Sequence, residues 1–518
     1  MRSRRWPRGA ALVATTGLML AGCSVSDPFG GGPGASSTSL APSEVVPSGE
    51  EALARFYQQR LDWSDCGSSA KCATLTVPVD YADPGGATTS VKVLTIPARS
   101  RRSRIGSLVV NPGGPGGSGV DYAKYADFIV GAQVRKAYDV VGFDPRGVAS
   151  SSPIECVDAT KLDGWLGQDP TPDDAAEEQT AAANVVAFGD ACKANASPLV
   201  AHVSTVEAAR DMDILRAALG EAKLDYLGKS YGTFLGATYA DLFPTHIGRM
   251  VLDGALAPDL TPDELLLGQA KGFETATKAW AADCVDSGSC PLGSSVDAVM
   301  TGLRDLLAKL DATPATVEGD ARVRELTEGW AAYGVAAAMY DQGMWDTLTT
   351  ALKPLVEKND GTALMGLADT YAERNTDGTY SGNMMQVINA VNCLDSSDSP
   401  DLSVYEQRAR AAAVQAPLFG RFLAWSGLTC GRWPIPATGN PHEITAPTAP
   451  PIVVVGTTRD PATPYEWAVR LADQLATGVL VTFDGDGHTA YTRSNSCVDN
   501  AIDDYYVKGT VPKDGLRC

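Results

Sequence analysis

Six short apolar runs of β-forming residues, spread along most of the chain, constrain the fold more than any other feature of this sequence. Each run is followed by turn residues and then by a stretch with helical periodicity. Apolar strands that alternate with helices predict a mostly parallel sheet covered by helices on both faces, which is the α/β class. Functional loops in such sheets lie at the carboxyl ends of the strands. The six runs are residues 107–111, 138–144, 224–228, 249–254, 451–456 and 478–483.

Two longer β-rich runs precede these strands, over residues 73–81 and 88–98. The sequence Asp-Pro-Gly-Gly at 83–86 separates them, and these residue types form tight turns, so the two runs predict a β-hairpin. Residues 50–61 show a helical pattern, and the folded part of the chain is expected to begin there.

Between residues 256 and 441 the strand rhythm stops and amphipathic helical patterns dominate. This interval predicts a largely helical cap inserted into an α/β core, whose two parts are then residues 50–255 and 442–518. Because the insertion follows the carboxyl end of a strand, it is placed to cover the functional edge of the sheet.

The N-terminus has the order of a bacterial signal peptide. Four arginines among the first eight residues precede an apolar run that ends in Leu-Ala-Gly-Cys. The run is about half the ~20 residues needed to span a bilayer. The ending resembles a lipobox, so we expect removal of residues 1–22, lipidation of Cys23 and a protein held in the cell envelope on the outer face of the membrane. The alternative is an ordinary secretory signal that leaves Cys23 as an unpaired thiol.

Residues 23–49 are rich in glycine, serine and proline, which predicts a flexible tether between the membrane and the folded part. The formal net charge of -20 argues against nucleic acid or an anionic lipid surface as a partner. Nothing in the composition indicates an oligomeric state.

The number of cysteines agrees with a lipid anchor, because the chain has 11 and the lipid would take Cys23. The other ten would lie in a compartment that permits disulfides, and sequence alone does not determine their pairing. We hypothesise that neighbours along the chain pair, since this closes short loops. The absence of CxxC and the scattered positions of the four histidines argue against a metal site. The hypothesised pairs are Cys66–Cys72, Cys156–Cys192, Cys284–Cys290, Cys393–Cys430 and Cys497–Cys518.

One GxSxG motif occurs, with Ser230 at its centre. A β-rich run ends at Gly228 and a helical pattern begins at Tyr231. A strand, a sharp turn and a helix in this order form a nucleophile elbow, which presents the serine hydroxyl and is typical of the α/β-hydrolase fold. The alternative is a tight turn whose serine only caps a helix.

A serine hydroxyl needs a base to remove its proton, and histidine is the usual one. In α/β-hydrolases the order along the chain is serine, acid, histidine. His442 and His488 are the histidines that follow Ser230, and His488 comes directly after the last apolar strand. We therefore predict His488 as the base. The alternative, a surface-loop histidine, would leave the elbow without a partner.

The acid that orients the histidine is expected after the preceding strand, where Asp460 stands. Its carboxylate would keep one imidazole nitrogen protonated and stabilise the imidazolium. Asp484 and Asp486 compete for this position, but they are so close to His488 in sequence that they are better placed to shape the turn.

Two backbone amides are needed to stabilise the oxyanion, and one of them belongs to the residue after the nucleophile, Tyr231. The glycine-rich segment 111–119 follows an early strand and lets bare backbone approach a substrate. Gly114 is the second predicted donor. A phosphate-binding loop is the rival interpretation, but neither GxxxxGK[ST] nor GxGxxG is present, so no cofactor is expected.

Several motifs in the same order resemble the secreted tripeptidyl aminopeptidases and proline iminopeptidase-like hydrolases of actinobacteria. They are TVPVDYADP, NPGGPGGSG, GFDPRGVASS, GKSYGT, TRDPATP and GDGH. Within this group, the lipobox and the basic signal make the chain most similar to the cell-envelope serine hydrolases of mycobacteria. Pro112 stands where the iminopeptidases have histidine, and Lys229 and Tyr231 replace their tryptophan-rich elbow. Narrow specificity for proline is therefore not implied.

The resemblance also marks Thr463, as a support of the acid loop by hydrogen bonding, and Asp395, as a partner for the α-ammonium group of a substrate. The alternatives are a turn threonine and a structural turn beside a disulfide. Asp144 and Arg146 look like a scaffold pair behind the site.

The sequence therefore predicts a serine hydrolase that acts through an acyl-enzyme. The resemblance implies a peptidase that acts on peptides or proteins, with aminopeptidase-like or protein-processing activity. A carboxylesterase that acts on short to medium acyl esters or envelope lipids is the alternative. A catalytically dead binding lipoprotein is disfavoured, because serine, acid, histidine and oxyanion loop are all present.

Overall fold

The predicted strands pair into a ten-stranded sheet. The computed structural model describes residues 46, 47 and 49–518. The order across the sheet is β1-β2-β3-β5-β4-β6-β7-β10-β11-β12, and β8 pairs with β9 apart from it. The strands are β1 Ser64–Asp65, β2 Lys71–Pro78, β3 Thr88–Ile96, β4 Gly106–Asn111, β5 Tyr138–Phe143, β6 Leu224–Lys229, β7 Ile247–Asp253, β8 Ala315–Thr316, β9 Glu325–Leu326, β10 Ile452–Arg459, β11 Gly478–Asp486 and β12 Leu516–Arg517.

Strands β5, β4, β6, β7, β10, β11 and β12 run parallel to one another. The antiparallel hairpin of β2 and β3 extends one edge through β3, which pairs antiparallel with β5. The mostly parallel sheet that the sequence predicts is thus confirmed.

Apolar layers cover both faces of the sheet, because neighbouring residues of each strand point to opposite sides. In β4, Val109 packs into one layer, and Leu108 and Val110 pack into the other. Helices supply the remaining side chains of each layer, for example Met212 on the first face and Ile502 on the second. Because both faces of each strand are buried, the strands appear in the sequence as near-continuous apolar runs.

Helices occupy most of the remaining chain. The α-helices are Ala54–Tyr57, Gly119–Lys124, Ala126–Ile129, Ala132–Ala137, Ala159–Leu166, Ala175–Asn195, Thr205–Ala218, Tyr231–Leu242, Pro262–Asp286, Val296–Ala312, Glu328–Met339, Trp345–Lys358, Thr362–Ala372, Met384–Asp395, Leu402–Gln415, Gly420–Ser426, Leu428–Gly431, Tyr465–Gln474 and Ser496–Lys508. The 3-10 helices are Glu51–Leu53, Arg101–Ser103, Pro198–His202, Pro244–His246 and Gln342–Met344. None of the helices in the described part has the length and apolar character that crossing a membrane requires.

The chain between β7 and β10 is largely helical and has an apolar core of its own, with Trp280, Leu303 and Leu352 among its buried members. Leu162 and Leu166 join this core. They belong to a helix between β5 and β6, which the sequence pattern assigned to the α/β part. Tertiary packing therefore draws a second, earlier segment into the helical layer.

The first helix is shorter than its pattern predicts. The 3-10 turn Glu51–Leu53 continues into Ala54–Tyr57, and the helix stops there, although the pattern extends to Leu61. Gln59 explains this end, because its side chain accepts from the amide of Thr76 at 2.9 Å and donates to the carbonyl of Thr76 at 2.8 Å. Pairing with β2 thus takes the chain out of the helix.

The ten cysteines within the described residues form five disulfides, between the same neighbours that the sequence hypothesis named. The signal sequence, Cys23 and almost all of the predicted tether lie outside the described residues.

Asp144 and Arg146 are both buried behind the sheet edge, but they do not pair with each other as the sequence suggested. Asp144 accepts from the Ser118 hydroxyl at 2.6 Å and from two backbone amides. Arg146 instead binds Asp211 through two nitrogens, at 2.8 and 2.7 Å. Each residue is a scaffold element with partners of its own.

Candidate active site

Ser230 occupies a sharp turn between β6 and the helix Tyr231–Leu242. Its backbone has φ 57° and ψ -129°, a strained conformation for a residue with a side chain. A Cβ at Gly228 would lie 2.2 Å from the carbonyl oxygen of Gly232, and a Cβ at Gly232 would lie 2.8 Å from Oδ1 of Asn111. Both glycines are thus needed for this close packing, and the geometry is that of a nucleophile elbow.

His488 and Asp460 lie side by side in the interior. Nδ1 of His488 is 2.8 Å from Oδ1 and 2.9 Å from Oδ2 of Asp460. The Asp460 carboxylate also accepts from the amides of Ala462, Thr463 and Thr489, at 3.0, 2.8 and 3.2 Å. For the carboxylate to accept a hydrogen bond from the ring, Nδ1 has to carry the proton.

The competing acids face elsewhere. Asp484 accepts from the Thr458 hydroxyl at 2.9 Å, and Asp486 accepts from Nε of Arg459 at 2.7 Å. His442, the other histidine after Ser230, is exposed and contacts Asp241 at 3.3 Å. The pairing of β10 with β11 therefore selects Asp460 and His488 from the candidates.

The second ring nitrogen of His488, Nε2, is buried and has no hydrogen-bond partner within the described residues. The Tyr340 ring meets the imidazole edge-on, with the ring centres 5.2 Å apart, and the Tyr340 carbonyl accepts from the His488 amide at 3.0 Å. The histidine is thus held at one nitrogen and through its backbone, while Nε2 makes no hydrogen bond to Ser230 or to any other group of the described residues.

Thr463 contacts both members of this pair. Its amide donates to Asp460, and its hydroxyl lies 3.4 Å from Nδ1 of His488. Thr463 thus lies beside both residues, and its support of the acid loop stays a prediction.

The glycine-rich loop after β4 packs directly against the elbow. A Cβ at Gly113 would lie 2.6 Å from the carbonyl oxygen of Lys229, 2.8 Å from Cβ of Ser230 and 3.0 Å from the amide nitrogen of Tyr231. Neither Gly114 nor Tyr231 donates its amide hydrogen to another group of the described chain. These two amides are thus available for an oxyanion, and Gly114 as the second donor stays a prediction.

A cavity of about 430 Å³ opens onto Ser230. Gly114, Tyr231 and Thr463 share its wall with apolar side chains of the helical layer. Residues 165–185, which lie before the predicted cap, also contribute to the wall. The sequence pattern missed this contribution, because an amphipathic helix does not reveal what its apolar side will meet.

Asp395 lines the same cavity at the end of the helix Met384–Asp395. Its carboxylate accepts from the amide and the hydroxyl of Thr205, at 2.8 and 2.5 Å. The Thr205 hydroxyl is also 2.5 Å from the Tyr231 hydroxyl. Burial raises the pKa of Asp395 to about 7, against the lowering effect of the Thr205 hydrogen bonds. Thr205 belongs to no recognisable motif, so no pattern in the sequence points to it.

The fold and this site define a serine hydrolase of the α/β-hydrolase class. Residues 416–518 match the family described as TAP-like protein. The chain is 38% identical to the serine protease Hip1 of Mycobacterium tuberculosis, over 89% of the chain and 91% of that protein. It is 38% identical to carboxylesterase B of the same organism, over 99% of both. It is 32% identical to the tripeptidyl aminopeptidase of Streptomyces lividans, over 90% of the chain and 88% of that protein.

The chain therefore belongs to the family of actinobacterial serine hydrolases that includes these three proteins, which confirms the resemblance found in its motifs. The three relatives carry the names of a protease, an esterase and an aminopeptidase. Family membership thus establishes the class of chemistry, and the preferred substrate has to be argued from the site.

The contact between the glycine loop and the elbow can be tested with Gly113→Ala. The new methyl group would collide with Lys229 and Ser230, so we expect kcat/KM to fall more than about tenfold, because small displacements of reacting groups are costly. Gly67→Ala is a matched control, since Gly67 has φ +98° against +99° for Gly113 and nothing lies within 4 Å of its Cβ position. Equal activity of the two variants, measured on an activated ester, would contradict the close contact.

Proposed function

We propose that Ser230, His488 and Asp460 form a catalytic triad that hydrolyses acyl compounds through a covalent acyl-enzyme. The observation that carries this proposal is the buried His488 ring, which is bound to Asp460 at Nδ1 and free at Nε2. In the first step Nε2 accepts the proton of the Ser230 hydroxyl while the oxygen attacks the substrate carbonyl. The amides of Tyr231 and Gly114 would stabilise the oxyanion that forms.

Collapse of the tetrahedral intermediate completes acylation. Nε2 of His488 passes its proton to the leaving amine or alcohol, which departs and leaves an ester on Ser230. Water then attacks this ester with His488 again as the base. The acid product leaves, and Ser230 regains its proton. Asp460 holds the imidazole in one tautomer throughout and stabilises its charged form.

For the substrate we propose peptides with a free amino terminus. Asp395 carries this assignment, because its carboxyl lies in the cavity wall and its partners in the structure are the neutral groups of Thr205. The residues that line the cavity include no lysine, arginine or histidine. A substrate ammonium group would supply the missing positive charge and favour ionisation of Asp395.

Acyl esters are the second candidate substrate, and the apolar part of the cavity wall favours them. Trp165, Phe234, Leu260 and Phe419 all line the cavity and could receive an acyl chain. The triad serves both classes of substrate, since amide and ester hydrolysis share the tetrahedral intermediate.

We further propose that the protein is lipid-anchored through Cys23 and acts in the cell envelope on the outer face of the membrane. The lipobox-like ending of the apolar N-terminal run supports this proposal. A second support is that the ten cysteines of the described residues pair with one another, so that none of them is the partner of Cys23.

Ser230→Ala tests the nucleophile. We expect it to abolish labelling by a fluorophosphonate probe and to lower kcat by about 10⁶-fold, because the triad members act as a unit. Ser403→Ala is the control, since Ser403 is an exposed serine on a helix of the insertion. If folded wild-type protein takes up no probe, the enzyme mechanism is wrong.

Asp395→Asn tests the ammonium site on pairs of tripeptide amides with free and acetylated amino termini. We expect kcat/KM to fall roughly 10- to 100-fold for the free peptide, which corresponds to the loss of one hydrogen bond to a charged group. For the blocked peptide, kcat/KM should change little. Asp398→Asn is the control, because Arg408 already binds the Asp398 carboxylate at 2.8 Å. Equal losses on free and blocked peptides would refute the assignment.

The same site predicts a pH dependence. Asp395, with its pKa raised to about 7, is neutral at pH 6 and increasingly ionised above pH 7. KM for the free peptide should therefore be lower at pH 7.5 than at pH 6, whereas the blocked peptide and the Asp395→Asn variant should lack this change. Steady-state kinetics at the two pH values measure it.

Cys23→Ala tests the anchor. In a bacterial host that processes lipoproteins, we expect the wild-type chain to incorporate labelled palmitate and to fractionate with membranes, and the variant to do neither. A wild-type chain without label would favour the ordinary secretory signal.

A further inference from the structure

A buried ion pair lies directly behind the proposed nucleophile and histidine. Lys229 immediately precedes Ser230 at the end of β6, and Asp253 ends β7 opposite it, where the two residues are register partners. Both side chains are buried, with 6% of Lys229 and none of Asp253 exposed. Nζ of Lys229 lies 3.5 Å from Oδ2 of Asp253.

The side-chain hydrogen bonds of this pair end on the backbone that follows His488. Asp253 accepts from the amide of Ala490 at 2.9 Å and from the amide of Tyr491 at 3.0 Å. Lys229 donates to the carbonyl of Tyr491 at 2.7 Å. Two side chains on two neighbouring strands thus bind a two-residue segment that starts two positions after the histidine.

The same pair also contacts the nucleophile strand. The carbonyl of Asp253 accepts from the amide of Ser230 at 3.0 Å. Because Lys229 is covalently joined to Ser230, the ion pair connects the backbone of the serine with the backbone of the histidine loop.

The histidine loop needs such an anchor. Thr489 and Thr492 have φ of 68° and 65°, left-handed values that cost free energy for residues with side chains. They flank the segment that Asp253 and Lys229 hold. Strained backbone of this kind persists only when the surrounding contacts fix it.

Burial of a charged pair also costs more free energy here than burial of apolar side chains would. Removing two ions from water costs several kcal/mol each, and apolar side chains of similar volume would pack there without that cost. Burial lowers the pKa of Lys229, and Asp253 opposes the shift. Retention of the charges therefore points to a positional requirement.

We propose that Lys229 is a positioning residue that, together with Asp253, holds the loop of His488 in register with Ser230. This inference rests on the proposed triad and adds a determinant of its geometry. Lys229 acts through the backbone of Ala490 and Tyr491 and takes no part in proton transfer itself.

Lys229→Met, which keeps an unbranched side chain one atom shorter than lysine and removes the ammonium group, is the first test. We expect kcat on a p-nitrophenyl ester to fall about 10²-fold, since misplacement of a reacting group by about 1 Å has this effect. KM should stay within about threefold, and thermal unfolding should stay cooperative. Lys223→Met is the matched control, because Lys223 is an exposed lysine just before the same strand and should retain wild-type kinetics.

A double-mutant cycle distinguishes positioning of the histidine from general damage. In a His488→Ala background, Lys229→Met should cause no further loss of the residual activity, because there is no longer an imidazole to misplace. The same 10²-fold loss in both backgrounds would overturn the proposal, and so would an unchanged kcat in Lys229→Met alone.

Asp253→Asn is the second variant. Its side-chain amide has one oxygen, so it can accept from only one side-chain position where the carboxylate accepts from the amides of Ala490 and Tyr491 at two. It also removes the negative charge that faces Lys229. Asp253→Asn should lower kcat as Lys229→Met does, and in the His488→Ala background it should cause no further loss of activity. If neither variant unfolds cooperatively, the pair is a determinant of folding and the positioning role is refuted. Fluorophosphonate labelling of wild-type protein tests the triad separately, so that failure of the proposed function would be recognised as such.

Discussion

Burial of both faces of the parallel sheet is the constraint on which the rest of the structure depends. Strands β4, β6, β7 and β10 have apolar layers above and below, so they leave no room for polar chemistry within the sheet. Polar side chains are displaced to the carboxyl ends of these strands. Asn111, Ser230, Asp253 and Asp460 all stand at or just beyond such an end.

Carboxylates buried at this edge are stabilised mainly by backbone amides. Asp460 accepts from three amides and Asp253 from two, in addition to their side-chain partners. Amide donors stabilise a negative charge and also determine the path of the loops that supply them. Asp395 differs, because burial raises its pKa to about 7 and its partners in the structure are the neutral groups of Thr205. The site thus combines carboxylates that backbone amides hold in place with Asp395, a buried carboxyl in the cavity wall.

The helical layer supplies much of the cavity wall, and the α/β core supplies the residues of the proposed triad. The serine, histidine and acid come from β6, β11 and β10 or the loops after them, whereas Asp395 and much of the apolar wall come from the insertion. Such a division explains how one family can include proteins named as a protease, an esterase and an aminopeptidase. In such folds, activity depends on the residues of the site and not on the fold that carries them.

The sequence by itself determined the alternation of strands and helices, the elbow at Ser230 and the order of serine, acid and histidine along the chain. These features are local or periodic, so a short window of residues contains the physical information that produces them. Asp460 could be preferred to Asp484 and Asp486 from its place after a strand, but only the register of β10 on β11 showed where the other two acids point.

The tertiary structure alone decided the contacts between distant segments. Thr205 meets Asp395 and Tyr231 across the cavity wall, and Lys229 and Asp253 meet the backbone after His488. The early helix Ala159–Leu166 joins the core of the insertion, and Gln59 ends the first helix by pairing with β2. Each contact depends on the distance and burial of groups that are far apart in the chain. Periodicity and motif spacing carry no information about such distances, because packing of the folded chain is what brings these groups together.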